Sequence, residues 1–186
     1  RVAAVHLTYE RANLLGSVWK RRAIVASAGA GVAPSTAAEV ELRIARMKTV
    51  EHCRHAEGLA LQQGLEDLYY PLLNRMTAEA MLDLDKPAHP ADEDGVEQVQ
   101  NSLERQVAQD PDFWALAQRQ ELKLYQGLCQ RNIAAQSEEV KRGFRELRSR
   151  IRLKRSWSTL RDQTWFTLRP YASSAQISAL ESKAAD

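Results

Sequence analysis

Residues 10–23 read ERANLLGSVWKRRA, and their apolar side chains return every three or four positions, the period of one helix face. The pattern continues on both sides and predicts a helix from about residue 3 to residue 28. An apolar stripe of this kind is expected to face a protein core. Its predicted members are Val5, Ala12, Leu15, Trp19 and Ala23, widened by Leu14, Val18 and Val25.

The helical period recurs along the chain, whereas strand-like alternation is scarce. Further helices are predicted over about residues 37–63, 66–84, 94–109, 111–131, 137–153, 156–168 and 174–183. Ser137 is expected to cap the sixth helix, and Pro170 is expected to end the seventh. Short connections favour antiparallel neighbours. The sequence thus predicts an all-α fold of about seven to eight helices, with helix pairs stacked as a solenoid or as an irregular bundle.

The second predicted helix has its own apolar stripe, which we expect to be buried against the first helix or its neighbours. The stripe consists of Val40, Ile44, Met47, Val50, Cys53, Ala56 and Ala60.

Composition and charge narrow the classes of function. Lysine and arginine number 26 against 24 aspartates and glutamates, and a net charge of +2 does not indicate nucleic-acid or membrane binding. No run of about 18 apolar residues is present, so no membrane-spanning segment is predicted. Cys53 and Cys129 could pair in a secreted protein, but two lone thiols fit a reducing cytoplasm at least as well. We expect a cytoplasmic protein without a membrane partner.

A single helical domain is predicted over residues 1–186, with a possible boundary inside it. Residues 84–95 read LDKPAHPADEDG, whose two prolines and four acids predict a loop. The loop at 85–93 would join two sub-halves, residues 1–84 and 94–186. Because the chain begins with Arg1 in the middle of a helical pattern, we expect it to be a piece of a longer protein.

A known repeat signature places a bulky residue, a Leu-Gly pair and an aromatic residue at the spacing W-x2-L-G-x2-Y. Ala12, Leu15, Gly16 and Trp19 fit this frame, and the segment that begins at Tyr70 fits it more weakly, 58 residues later. The sequence therefore resembles tetratricopeptide-like helical repeats in an enlarged, divergent form. It is particularly similar to the C-terminal helical region of some bacterial multidomain proteins, which accompanies caspase-like or other effector domains. The segments that carry this likeness are residues 10–23, 67–79, 110–128 and 162–168.

The resemblance implies a protein–protein interaction scaffold. Its partner would be a protein or peptide segment, or another domain of the same chain. In tetratricopeptide arrays the first helix of each pair lines a concave groove. By that likeness the groove residues would be Asn13, Lys20, Arg21, Asn74 and Arg75; plain surface is the alternative.

Signals for chemistry are weak. The cluster His52-Cys53-Arg54-His55 holds too few ligands for a zinc site, and no phosphate-binding, dinucleotide-binding or zinc-hydrolase motif occurs. Glu121 interrupts an apolar stripe, and it is either a buried acid with an arginine partner or, as we favour, a residue at the stripe edge. We therefore predict no catalytic residue, no metal and no cofactor, so that the chain is not an enzyme.

Residues 141–155 read KRGFRELRSRIRLKR, with eight basic residues and one acid. Lys141, Arg145, Arg148 and Arg152 fall near one helix face and could bind nucleic acid or phosphate, which is the alternative function. A solvated face that pairs with the acidic 92–94 segment is favoured, so nucleic acid is the less expected partner. Trp157 and Trp165 are expected in the core.

Overall fold

A computed structural model describes residues 7–30, 36–84 and 86–185, with side chains described outside 28–30, 36 and 173–185. This part of the chain forms seven α-helices and one 3-10 helix at Glu66–Leu68, and it contains no strand. The all-α prediction is therefore confirmed. The helices are α1 Tyr9–Ala30, α2 Thr36–Gln63, α3 Tyr69–Leu82, α4 Glu93–Gln109, α5 Phe113–Cys129, α6 Ile133–Arg150 and α7 Lys154–Ala185. Val5 and the predicted helix start at residue 3 lie outside the described residues.

Small residues determine how α1 and α2 pack along each other. Ala12, Ala45 and Ala56 are fully buried between or beside these helices, and Gly16 is buried against Cys53. Because alanine and glycine project little from the helix, the two backbones can approach closely. The interior of the hairpin is therefore narrow, and the larger aliphatic side chains of both helices lie elsewhere.

Gly16 tests this close approach. A Cβ atom at residue 16 would lie 2.8 Å from Cys53 Sγ, whereas a Cβ atom at Gly58 in α2 would meet nothing within 4 Å. Gly16→Ala should lower the free energy of unfolding by about 1–2 kcal/mol. Gly58→Ala should raise it by up to about 1 kcal/mol, because alanine favours a helix. Urea unfolding measures both changes.

Combining Gly16→Ala with Cys53→Ala separates the steric contact with Cys53 from the gain in helix propensity. The second substitution removes the sulfur that Cβ would meet, so Gly16→Ala should then stabilise the chain by about 0.5–1 kcal/mol. A loss of stability that is the same with and without Cys53 would contradict the close packing of α1 on α2.

The main core lies where α3, α4 and α5 meet. Leu72 and Met76 of α3, Leu103 of α4 and Leu128 of α5 are nearly inaccessible to solvent. Ser102 adds a buried polar link, because its hydroxyl donates to the Glu66 carbonyl and accepts from the Tyr69 amide at 3.1 Å. One apolar cluster contains residues from α1 through α7, so side chains on both sides of the 86–92 loop share it.

Side-chain caps begin the middle helices. Asp92 and Asp112 accept hydrogen bonds from the amides of Gly95 and Ala115 at 3.1 and 2.7 Å. The cap predicted at Ser137 is wrong: α6 begins four residues earlier, where Asn132 accepts from the Ala135 amide at 3.3 Å. Asparagine caps a helix as well as serine does, so the earlier residue can begin the helix.

The seventh helix is longer than predicted, because α7 continues through Pro170. Proline inside a helix removes one backbone hydrogen bond and costs about 3 kcal/mol. Contacts on both sides of Pro170 offset this cost. The Arg169 guanidinium donates to the Ser27 carbonyl at 2.8 Å, and the Tyr171 hydroxyl donates to the Arg131 carbonyl at 2.7 Å. The α7 helix thereby packs across α1, α3 and α5.

Candidate binding surfaces

The five predicted groove residues do not line one groove. Lys20 and Arg21 line a cleft of about 470 Å³ between α1, α3, α5 and α7. Asn74 lines a smaller cavity next to this cleft, and its side-chain oxygen accepts from Lys20 Nζ at 2.6 Å. Asn13 is half-buried on α1. Arg75 turns towards α2 and forms ion pairs with a glutamate of α2 and one of α3.

The cleft combines aromatic walls with charges of both signs. Its aromatic lining comes from Tyr69, Tyr70 and Trp114, and its acids are Asp67 and Asp112. Burial raises the pKa of Tyr69 to about 12, so its hydroxyl stays protonated and can donate a hydrogen bond. A volume of this size lies within the range of ligand clefts, about 300–1,000 Å³.

The smaller cavity lies behind Lys20, which lines both spaces and also donates to Gln163 at 3.3 Å. Its volume is about 30 Å³, which is room for about two water molecules. Arg46 and Glu121 line it from α2 and α5. Burial lowers the pKa of Arg46 to about 10. Burial also raises the pKa of Glu121, an effect that the charge of Lys20 partly opposes.

Glu121 should therefore make stability depend on pH. Since its folded pKa lies above its unfolded value of about 4.3, the folded state holds the proton more tightly. Its ionisation thus removes stability as pH rises from the unfolded pKa to the folded one, and the loss persists above it. Glu121→Gln should raise the free energy of unfolding at neutral pH by about 1 kcal/mol. Thermal melts between about pH 4 and pH 8 measure this difference.

Glu97 of α4 is exposed, so Glu97→Gln is the matched control for Glu121→Gln and should leave the melting temperature within about 1 °C of the wild type. The interpretation fails if Glu121→Gln destabilises the protein at neutral pH, because the carboxylate would then be stabilised by its cavity.

The cysteine and histidine cluster at 52–55 has an ordinary structural environment. Burial raises the pKa of Cys53 to about 11, which disfavours the reactive thiolate. His55 is exposed, while Cys53 is buried against α1. In the described ranges no three His, Cys, Asp or Glu side chains come together in a way that could hold a metal ion.

The outer face of the α1–α2 hairpin carries aliphatic side chains that were expected in the core. Their exposed fractions range from 47 % to 64 %. This part of both predicted stripes is wrong, because the alanines and Gly16 fill the narrow space between the helices. The exposed side chains form two rows, Leu14, Val18 and Val25 on α1 and Val40, Ile44 and Met47 on α2. We call the α2 row the hairpin face.

Charged residues border the hairpin face. Arg22 of α1 and Glu41 of α2 form an ion pair at 2.9 Å that connects the two helices. Arg43 lies three residues after Val40 and four before Met47, so it is their neighbour on the helix surface. Arg43 is exposed, and no ion pair joins it to another residue in the described part of the chain.

The predicted basic face divides into two parts. Lys141 and Arg145 lie near Glu138, at 2.8 and 3.8 Å. Arg148 and Arg152 are exposed, and the described residues provide them with no ion-pair partner. The expected pairing with the acidic 92–94 segment is thus not seen there.

The two tryptophans near the basic run differ in environment. Trp157 packs against Phe113 and Phe144 and donates from Nε1 to the Ile151 carbonyl at 2.7 Å. Trp165, which was also expected in the core, is 63 % exposed. The prediction for Trp165 is therefore wrong, because α7 turns that face away from the helices on which it packs.

Comparison with protein-family models, with curated proteins and with solved structures gives no match. Across the described residues, no helix is both long and apolar enough to cross a bilayer. The candidate surfaces therefore have to be interpreted from their own chemistry.

Proposed function

We propose that the protein is a binding module that docks an amphipathic helix of a partner protein on the hairpin face. The observation that carries this proposal is the row of three half-exposed aliphatic side chains, Val40, Ile44 and Met47, on α2. Contiguous exposed apolar surface on a folded domain marks an interaction site.

The spacing of these side chains suits a helical partner. On α2, Val40, Ile44 and Met47 fall within an arc of about 60° and extend over about 10 Å of its length. The α1 row turns away from α2, because Gly16 on the opposite side of α1 faces Cys53 of α2. The single row on α2 suits the apolar stripe of an amphipathic helix, a common mode of recognition.

Charge favours a partner with acidic flanks over a second copy of this chain. Helices α1 and α2 carry eight basic and five acidic residues, a net charge of +3. Two hairpins placed face to face would bring like charges together. An acidic residue beside the partner's apolar stripe would instead meet Arg43, whose charge is unpaired within the described residues.

A selection from a displayed library of helical peptides tests the proposal. Peptides enriched on the wild-type protein and depleted on a hairpin-face variant, Val40→Asp, should carry apolar residues at helical spacing with Asp or Glu beside them. Enrichment of basic peptides, or equal enrichment on both proteins, would overturn the proposal. Light scattering provides a further test, since a dimer that Val40→Asp dissociates would make a second copy the occupant.

The resemblance to tetratricopeptide-like regions supports the same type of function, an interaction scaffold without chemistry of its own. A role inside a larger bacterial multidomain protein, a cytoplasmic location and a partner supplied by the same polypeptide belong to this proposal. The hairpin face would then hold the scaffold and its partner together.

A further inference from the structure

Five cations lie close together where α6 ends and α7 begins. Residues 148–155 read RSRIRLKR and contain no acid. We call this set the basic turn; it consists of Arg148, Arg150, Arg152, Lys154 and Arg155. All five are exposed, and none forms an ion pair with another residue in the ranges that the structure describes. Like charges concentrated in this way repel one another unless an anion lies between them.

Two of these five cations lie at a helix end where the helix dipole makes a positive charge unfavourable for folding. Arg148 and Arg150 lie in the last turn of α6, where the negative end of the helix dipole favours cations. Lys154 and Arg155 begin α7, where the dipole is positive and where no acidic residue occupies the first turn. The positive end of α7 and two cations therefore point to an external anion at the same place.

The exposed surface of α7 continues from the basic turn to an aromatic ring. Lys154, Arg161 and Trp165 fall within about 40° of arc on α7, and all three are exposed. Trp165 lies about 16 Å along the helix from Lys154. Because Trp165 is not needed to fill the core, its indole face is available for stacking.

We propose that the basic turn and Trp165 form a binding site for single-stranded nucleic acid. The cations would contact successive phosphates, and a base would stack on the Trp165 indole, the combination used by proteins that bind single strands. An anionic membrane is less well matched, since Arg161 and Ser158 separate Trp165 from Leu153, the exposed aliphatic side chain of the turn.

Fluorescence anisotropy with a labelled oligothymidylate of about 20 nucleotides tests the site. Affinity is measured between about 50 and 300 mM salt. Arg148→Glu with Arg152→Glu should weaken binding at least about tenfold and reduce the salt slope by about 1.4, the value for two lost phosphate contacts. Lys86→Glu with Arg105→Glu changes the net charge equally in the 86–92 loop and on α4, and it should retain most of the affinity. Circular dichroism checks that each variant is folded.

Substitution of Trp165 tests stacking separately from charge. Trp165→Ala should weaken binding about tenfold with an unchanged salt slope, and Trp165→Phe should recover most of the loss. Three results would overturn the proposal. These are no binding at about 50 mM salt, an equal loss in the Lys86 and Arg105 control, and binding to phosphatidylserine vesicles without binding to the oligonucleotide.

Discussion

Replacing Ile44 with aspartate is expected to weaken the binding of helices selected on the wild-type protein by at least about 30-fold. Burial of an isoleucine side chain contributes about 1.5–3 kcal/mol. The substitution removes this contribution and places a carboxylate where the partner's apolar stripe would lie. Because Ile44 is 47 % exposed in the free protein, the variant should still fold. Isothermal titration calorimetry measures the change in affinity.

The control for Ile44→Asp introduces the same residue on another helix. Gln98 is exposed on α4, so Gln98→Asp adds an equal charge away from the hairpin face and should bind as the wild type does. Thermal melts of both variants should agree with the wild type within about 0.5 kcal/mol. Unchanged binding by the folded Ile44→Asp variant would exclude the hairpin face as the docking surface.

Truncation of Leu103 to alanine is expected to lower the free energy of unfolding by about 3 kcal/mol, within a range of about 2–5 kcal/mol. Leu103 of α4 is 1 % exposed and belongs to the apolar cluster that contains residues from α1 through α7. The loss should therefore affect the whole described fold in one transition. Far-ultraviolet circular dichroism and tryptophan fluorescence should report the same urea midpoint.

Leu61→Ala is the matched truncation for Leu103→Ala. Leu61 is largely exposed on α2, so its loss should change stability by less than about 0.5 kcal/mol. Two separate transitions, of which Leu103→Ala shifts only the later helices, would show that residues 1–84 and 94–186 fold independently. The single-domain account would then be wrong.

Local rules predicted most of the fold. The helical period located all seven α-helices, because one apolar face recurs wherever a helix packs on the shared core. The two helices predicted over 156–168 and 174–183 are, however, one helix, α7. The predictions that failed depended on competition between distant parts of the chain. Asn132 caps α6, so the helix begins before Ser137. The hydrogen bonds of Arg169 and Tyr171 to other segments stabilise α7 on both sides of Pro170.

The exposed aliphatic rows of α1 and α2 could not be predicted from periodicity alone. On α1, Ala12 and Ala23 define one apolar direction while Leu14 and Val18 define another, and hydrophobicity favours the larger residues. The structure buries the smaller pair, because a close partner helix leaves little room. The spacing of Ala12, Gly16 and Ala23 could have indicated this close approach. Exposure of Trp165 likewise depends on the direction in which α7 crosses the other helices.

A partner helix that covers the hairpin face should be detectable at single methyl groups. The chain contains three methionines, Met47, Met76 and Met81, whose exposed fractions are 54 %, 2 % and 4 %. Methyl-labelled methionine therefore yields an NMR spectrum in which one resonance reports on the hairpin face and two report on the core. Titration with a selected acidic helix should shift the Met47 resonance and leave Met76 and Met81 in place. Saturated binding without a shift at Met47 would contradict the account.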